Sequence, residues 1–511
     1  MTYAAKPPQV EGLRTGGRVP HAVVIGSGFG GLAAALRLIA KGYRVTVVER
    51  LEQAGGRASV FRQDGFAFDA GPTIVTAPFV FDELWTLFGK ERSDYVTFKK
   101  MEPFYKIHFH DGRTFTVTDD PEQMRAEIAK FNPDDLPGYE RYLKDSEACY
   151  KVGFEGLGLI PFSYVATMLA SLPRLGYLRA DRSVFDHAKK HIKDPSVRIA
   201  LSFHPLFIGG NPLRVTSVYC LIAYLERNWG VHFTMGGTGA LVQGMVDLME
   251  EQGGELKLNE DVEEILVENG TARGVKLKSG SILPADLVVS NADPAVTYGK
   301  LLPKEHIKRW TKRKIERSHY SMSLFVWYFG TKKRYEDVEH HSLVLGPRYE
   351  DLLRDIFDRK VLAEDFSLYI HRPTASDPSL APEGCDAFYA LSPVPHLESG
   401  TDWDAIAEDY RLKIQQRLEE TILPDLGNQI VSSKVITPND FEDRLQSHVG
   451  AAFGMEPRIT QSAWFRPHNR SEEVKNLYVV GAGTHPGAGL PGVVTSAKIV
   501  ADMIADAESL V

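Results

Sequence analysis

The sequence has little cysteine. Cys149, Cys220 and Cys385 are far apart and stand in no CxxC or histidine-rich spacing. A disulfide framework and a structural zinc site are therefore not expected, no metal ligands are assigned, and a reducing compartment is the default. Positive charge is short as well. Against 67 Asp and Glu the chain has 59 Lys and Arg, a net charge of -8, which speaks against nucleic acid as a general partner. The first twenty residues lack the apolar run of a signal peptide and read as a loose leader. No repeat of fixed period, no low-complexity tract and no suggestive Ser-His-Asp spacing stands out. At 511 residues, 43% hydrophobic and 25% charged, the chain is a folded globular protein too long for one simple core, so two or three subdomains are expected.

What is present begins at Val23. An apolar run, Val23-Val24-Ile25, leads into Gly26-Ser27-Gly28-Phe29-Gly30-Gly31, then a small-residue helix to Lys41 closed by Gly42, then Val45 to Val48 and Glu49. Strand, glycine turn, helix, strand and acid is the order of a dinucleotide site. Gly26 turns the chain out of the strand, Gly28 bares the backbone to a pyrophosphate, and Gly31 lets the helix lie close on the strand. Leu32, Ala35, Leu36 and Ile39 share one helix face, suited to packing on a sheet. Glu49 stands where a carboxylate accepts hydrogen bonds from both ribose hydroxyls, and it would repel a 2′-phosphate.

Further along, Phe104 to Phe109 and Thr114 to Thr118 flank Asp111-Gly112 as a hairpin. Residues from about Pro121 to Trp229 read as mostly helical, with breaks at Pro133, Pro161, Pro173, Pro195 and Pro212. Gly236-Gly237-Thr238-Gly239 opens a helix over Ala240 to Gln252. Strands are expected at Glu255 to Leu258, Val262 to Val267, Ala272 to Leu277 and Asp286 to Ala292, forming a meander and a returning sheet strand. Strands at Leu324 to Phe329, Phe366 to Ile370 and Ala387 to Leu391 alternate with helices such as Ala405 to Glu420. Asn476 to Val480, a glycine turn from Gly481 to Gly489 and a helix over Pro491 to Ala507 close the chain. Hydrophobic strands thus return beside glycine turns at three separated places, which makes the nucleotide-binding domain discontinuous. Gly156 to Pro173 carries no charge and is followed by Arg174, Arg179 and Arg182. Diluted by Pro161, glycines and hydroxyl residues, it suits lying in a membrane interface better than spanning a bilayer; the bland alternative is a buried helix pair.

Three features favour FAD over NAD. Gly55-Gly56-Arg57 follows the ribose acid, where a longer ligand's diphosphate would meet a bare backbone and a guanidinium. The C-terminal strand, glycine turn and helix supply a second helix N-terminus for the flavin end. No second glycine fingerprint is present to hold a nicotinamide donor.

Val23 to Arg57, Phe68 to Thr73, Gly236 to Leu241, Ser290 to Pro294 and Leu477 to Gly492 resemble the FAD-dependent amine-oxidase and carotenoid-desaturase superfamily. More narrowly, Ala363 to Tyr369, Leu380 to Cys385, Pro393 to Leu397, Gln461 to Asn469 and Gly481 to Gly489 resemble the bacterial-type phytoene desaturases, and the likeness runs from Ala22 to the C-terminus. The resemblance implies an α/β fold: a Rossmann-like FAD-binding domain with a parallel sheet and β-meander, an α+β substrate domain and a helical, membrane-associating part. The expected divisions are a leader over 1–20, the FAD domain over 21–100 with 236–300 and 470–511, the substrate domain over 101–120 and 294–469, and a helical entry part over 121–235.

By the same resemblance the cofactor-binding set is Gly26, Gly28, Gly30, Gly31, Glu49, Gly55, Gly56, Arg57, Gly71, Pro72, Thr73, Val262, Gly483, Pro491, Gly492 and Val493. The substrate implied is a C40 polyene hydrocarbon, phytoene and its intermediates, desaturated by hydride transfer to flavin with oxygen or a quinone as acceptor. The enzyme is then expected in the cytoplasm, peripheral and monotopic on the inner face of the cell membrane. His485 is the acid–base residue nearest the inferred flavin and the candidate catalytic residue, with a structural histidine as the competing reading. His204 and His396 read as satisfied pocket histidines, and Glu364 and Asp365 as solvent-facing. Another carotenoid-modifying FAD enzyme (a 3,4-desaturase, a diapophytoene desaturase or an isomerase) stays open, as does a flavin-free carrier of prenylated proteins.

Overall fold

The computed structural model describes residues 18–510. The expected leader, residues 1–20, lies almost wholly outside them. A five-stranded parallel sheet carries the glycine fingerprint, in the order Leu477–Val479, Leu287–Ser290, His21–Ile25, Arg44–Val48 and Glu255–Lys257. Strands from three separated parts of the chain lie side by side, with His21–Ile25 at the centre. Both faces are covered, so these strands read as continuous apolar runs. Ala22 and Val24 enter one hydrophobic core, Val23 and Ile25 another. Helices Phe29–Ala40, Thr238–Glu251 and Leu490–Met503 pack on the first of these faces. The antiparallel meander Val262–Glu268, Thr271–Leu277 and Ile282–Pro284 follows. Its first turn uses Asn269 and Gly270 at φ 48° and 73°, both left-handed as a tight hairpin turn requires.

A second sheet of seven strands runs Ile430–Ile436, Ser323–Thr331, Asp386–Val394, Leu368–His371, His341–Val344, Tyr105–His108 and Thr114–Val117. The hairpin of residues 105–117 joins it through a parallel pairing with His341–Val344. Every residue of Ser323–Thr331 is buried, because one face packs on a third core and the other on the first. The elements expected at Phe366 to Ile370 and Ala405 to Glu420 are found at Leu368–His371 and Trp403–Glu419.

One expectation fails. Pro173 does not break its segment; it sits inside the helix Val165–Tyr177. The proline removes the bond to the Leu169 carbonyl one turn back. Leu169, Ala170, Leu172 and Pro173 all lie on the exposed face, so that carbonyl is on the solvent side of the helix. The same face is apolar: Tyr164, Val165, Leu169, Leu172 and Tyr177 are 59, 53, 58, 48 and 75% exposed. Among the described residues no helix is long and apolar enough to cross a membrane.

The hairpin Val60–Gln63 and Phe66–Asp69 packs on the second sheet. A Cβ on Gly330 would lie 2.4 Å from the ring of buried Phe66. Gly330→Ala is expected to cost about 1–3 kcal/mol by overpacking, read as a lower Tm. Adding Phe66→Leu should return part of the loss, and an unchanged Tm in the single variant would contradict the contact.

Candidate active site

The Gly26–Gly31 turn leaves the central strand and is met from the far end of the chain by the turn at Gly481. Both close on the side chain of Asn291. A Cβ on Gly28 would lie 2.8 Å from Asn291 Nδ2, one on Gly30 2.6 Å from Asn291 Oδ1 and 2.9 Å from the Gly481 backbone, and one on Gly481 2.5 Å from Oδ1. Glycine is required at Gly28 and Gly30 by contact, and at Gly481, with φ 93°, by contact and by backbone conformation together. Gly31 has a different role: its Cβ would lie 2.0 Å from the Gly26 carbonyl oxygen, so its absence lets helix Phe29–Ala40 close on the strand. Gly28 is the helix N-cap and offers no capping side chain, so the N-terminus is open to an anionic ligand.

At the end of the second strand, Glu49 is buried. Its Oε2 accepts from Ser27 N–H at 2.9 Å and Ser27 Oγ at 2.7 Å, and its Oε1 accepts from Leu51 N–H at 2.9 Å. The carboxylate is thereby held at the rim of the turn, beside Val262. Gly55 at φ 110° and Gly56 at φ 55° bend the chain back under Gly28. Arg57 follows and donates to the Ala452 carbonyl at 3.0 Å. Desolvation lowers its pKa, with Asp293 opposing. A partly desolvated guanidinium beside an open helix N-terminus is suited to a diphosphate. These residues fit an adenine dinucleotide, with Glu49 at the ribose and Arg57 and the glycine amides at the phosphates.

From this cradle a cavity of about 600 Å³ runs through the protein, a size suited to a cofactor or substrate site. Its walls beyond the glycines are apolar, including Leu206, Phe207, Leu324, Val326 and Leu343. It is also lined by Met168 and Leu175, which stand on the helix with the exposed apolar face. One polar island interrupts the walls. Thr73 Oγ1 lies 2.8 Å from Tyr389 OH and 3.1 Å from Tyr369 OH, which in turn lies 2.7 Å from His341 Nδ1. Burial pushes both tyrosines above their ordinary range and His341 down to about 3, so all three are neutral. Glu226 also lines the cavity, accepting from Tyr105 OH at 2.6 Å and lying 3.1 Å from His204 Nε2.

His485 lines the cavity and is buried. Its Nε2 donates to the Leu157 carbonyl at 2.9 Å, which leaves Nδ1 with its lone pair and no hydrogen-bond partner. Burial, with Arg466 and His468 adding repulsion, lowers its pKa to about 4. It is neutral and a weak base, tied to a wall turn. Arg466, 1% exposed, holds the neighbouring turn by donating to the Ala482 carbonyl at 2.8 Å and the Met455 carbonyl at 3.0 Å.

Of the residues assigned from sequence, Gly26, Gly28, Gly30, Glu49, Gly55, Gly56, Arg57, Gly71, Pro72, Thr73, Val262, Pro491, Gly492 and Val493 line this one cavity. Gly31 and Gly483 do not; the missing Cβ of Gly483 makes room for Pro294, whose Cδ would be 2.1 Å away. Gly483 is a packing glycine. His396 lies off the cavity; Glu364 is exposed, and Asp365 pairs with Arg348 at 2.9 Å. Asn291 was missed, although Asn-Ala-Asp-Pro directly after a buried strand is a turn signal at the edge where ligands bind.

The family described as flavin containing amine oxidoreductase matches residues 29–505. The chain is 51% identical over 493 residues to the phytoene desaturase (neurosporene-forming) of Rhodobacter capsulatus, covering 95% of this chain and 94% of that one. It is 47% identical over 483 residues to the phytoene desaturase (lycopene-forming) of Pseudescherichia vulneris, covering 94% and 98%. Among solved structures, wild-type putrescine oxidase bound to putrescine matches with a TM-score of 0.64 over 95% of this chain and 98% of that one; at 14% identity the likeness is one of fold.

Two substitutions test the site. Gly30→Ala forces apart the two glycine turns, a cost of about 1–3 kcal/mol that should lower FAD affinity roughly tenfold or more, read from flavin absorbance after gel filtration. Wild-type flavin content would contradict the packing at Asn291. His485→Gln keeps a donor for Leu157 and is expected to lower turnover less than about tenfold. A loss in the roughly 10²–10⁴-fold range of a missing general base, at unchanged flavin content and Tm, would assign His485 that role.

Proposed function

The chain belongs to the phytoene desaturases of the flavin-containing amine oxidoreductase family, and we propose that it draws its substrate from a membrane surface through the apolar cavity to the flavin. It is an FAD-dependent oxidoreductase that desaturates phytoene in carotenoid biosynthesis by successive dehydrogenations towards neurosporene and lycopene. The membrane step rests on one observation: the cavity lined by Gly28 and Gly30 is also lined by Met168 and Leu175, whose helix turns Val165, Leu169 and Leu172 to the outside.

Bound FAD supplies the acceptor for a hydride leaving an allylic carbon, whose positive charge spreads over the polyene. The chain's residues do the rest. Glu49 receives the ribose, and Arg57 with the Gly26–Gly31 amides holds the diphosphate. Phe207, Leu324 and Val326 seat a hydrocarbon that offers no hydrogen-bonding group, so shape and exclusion of water orient it. Tyr369, Tyr389 and His485 present neutral polar groups to that space. The exposed helix carries Arg174 in its last turn, and a cation beside an apolar face favours anionic headgroups. We place the enzyme in the cytoplasm, monotopic on the inner face of the cell membrane, with oxygen or a membrane quinone reoxidising the flavin.

Incubating the FAD-loaded protein with phytoene in liposomes and separating the products tests the activity. Neurosporene or lycopene is the expected outcome; unchanged phytoene beside conversion of a hydroxylated carotenoid would overturn the substrate. Leu169→Glu with Leu172→Glu tests the entry route. It should reduce co-sedimentation with anionic liposomes and turnover of liposomal phytoene, leaving Tm and flavin content unchanged. Undiminished sedimentation would remove this helix from the membrane contact.

A further inference from the structure

We infer that Asp145, His187 and His191 form a binding site for a divalent transition-metal ion of the zinc class. The sequence offers no metal fingerprint, because the third ligand stands on another helix. His187 and His191 are one turn apart on helix Val184–His191, and Asp145 projects from helix Leu136–Cys149. One carboxylate oxygen, Asp145 Oδ2, lies 3.0 Å from His191 Nε2 and 3.4 Å from His187 Nε2. Ligand atoms 2.0–2.2 Å from a tetrahedral zinc stand about 3.4 Å from one another, close to both distances from Asp145, and the three ligand atoms all lie within 4.8 Å of one another. The fourth corner falls to water, and Asp145, 40% exposed, marks the way in for the ion.

His187 supplies the second observation. It is 3% exposed and neither ring nitrogen makes a hydrogen bond. Leaving buried polar atoms unmatched is costly, and a metal at Nε2 gives one of them a partner. Lys190 Nζ, 3.7 Å from the same Asp145 oxygen, is the competing cation; it is half-exposed and free to turn to water. One carboxylate offsets part of the ion's charge, which the buried group His340, His341 and His371 lacks.

The site would clip together the two helices that clasp the turn Ser217–Cys220. Ser146 donates to the Cys220 carbonyl at 2.6 Å from one side, and on the other the strand bridge Ser183 with Thr216 leads into helix Val184–His191. Val218 and Tyr219 of that turn line the substrate cavity. A bound ion thus braces one cavity wall from outside.

The test uses FAD-loaded protein stripped with a chelator, then titrated with Zn²⁺ by calorimetry and with Co²⁺ by visible absorption. Expected are saturation at one equivalent, a low-symmetry Co²⁺ spectrum and a higher Tm. Asp145→Asn should weaken Zn²⁺ by more than the roughly 10–100-fold that losing a ligand's hydrogen-bond partner costs. His187→Ala with His191→Ala should abolish saturable binding while flavin content, the check on folding, stays unchanged. No saturation in the wild type, or equal affinity in the double variant, overturns the site.

Discussion

The active site depends on the close contact of two glycine turns with the side chain of Asn291. Gly28, Gly30 and Gly481 each leave the space that one amide fills, at distances where any Cβ would collide with it. The contact becomes possible because His21–Ile25 lies between Arg44–Val48 and Leu287–Ser290, and the latter pairs with Leu477–Val479. All four strands run parallel, so their carboxyl ends open on one edge, where an α/β sheet binds its ligand. Asn291 and Gly481 continue two of those ends, and its backbone N–H donates to the Ile25 carbonyl at 2.8 Å. The cofactor cradle therefore exists only once residues from the start, middle and end of the chain have assembled.

That dependence explains what was legible in the sequence and what was not. Gly26, Gly28 and Gly30 of the fingerprint, Glu49 and the Gly55-Gly56-Arg57 bend are local patterns, and the structure places them on one cavity. The meander was readable from Asn-Gly and Ser-Gly turns between apolar runs. Roles set by distant partners were not. Asn291 looks like a turn residue until Gly30 and Gly481 are brought against it, and Gly483 looks like a cradle glycine until Pro294 is found in its Cβ space. Propensity reads Pro173 as a break, but the solvent-side position of its freed carbonyl lets water replace the lost hydrogen bond and offset part of the cost. The Thr73, Tyr369 and Tyr389 island joins two pieces of chain nearly 300 residues apart, at 2.8 and 3.1 Å, and no spacing announces it.

The second helix-opening glycine turn, Gly236 to Gly239, uses the same physics for another end. Its N-terminus receives a protein carboxylate: Asp69 Oδ1 accepts from Thr238 N–H at 2.7 Å, and Gly237 at φ 84° lacks the Cβ that would touch it at 2.6 Å. Burial nevertheless raises Asp69 to about 7, with the backbone N–H groups of Thr238 and Gly239 opposing it. Thr238 Oγ1 also donates to the Pro72 carbonyl at 2.6 Å, so this helix fixes the segment that carries Gly71 to Thr73 along the cavity. A glycine turn before a helix is thus a general anion device; which anion it holds is decided by what the fold delivers to it.

The exposed helix sets the scale of the proposed membrane contact. Tyr164, Val165, Leu169, Leu172 and Tyr177 are each about half or more exposed. At about 1.5–3 kcal/mol for a fully buried side chain, half-burial of five gives roughly 4–7 kcal/mol for docking on an apolar phase. That is comparable to a single myristoyl chain, whose attachment is marginal and reversible, and far below a spanning helix. Under the proposed membrane contact, attachment of this strength would be reversible and would hold the protein at the phase in which a C40 hydrocarbon dissolves. Met168 and Leu175 of the same helix line the cavity, so the proposed route would lead a hydrocarbon from the apolar face to the apolar walls without crossing water.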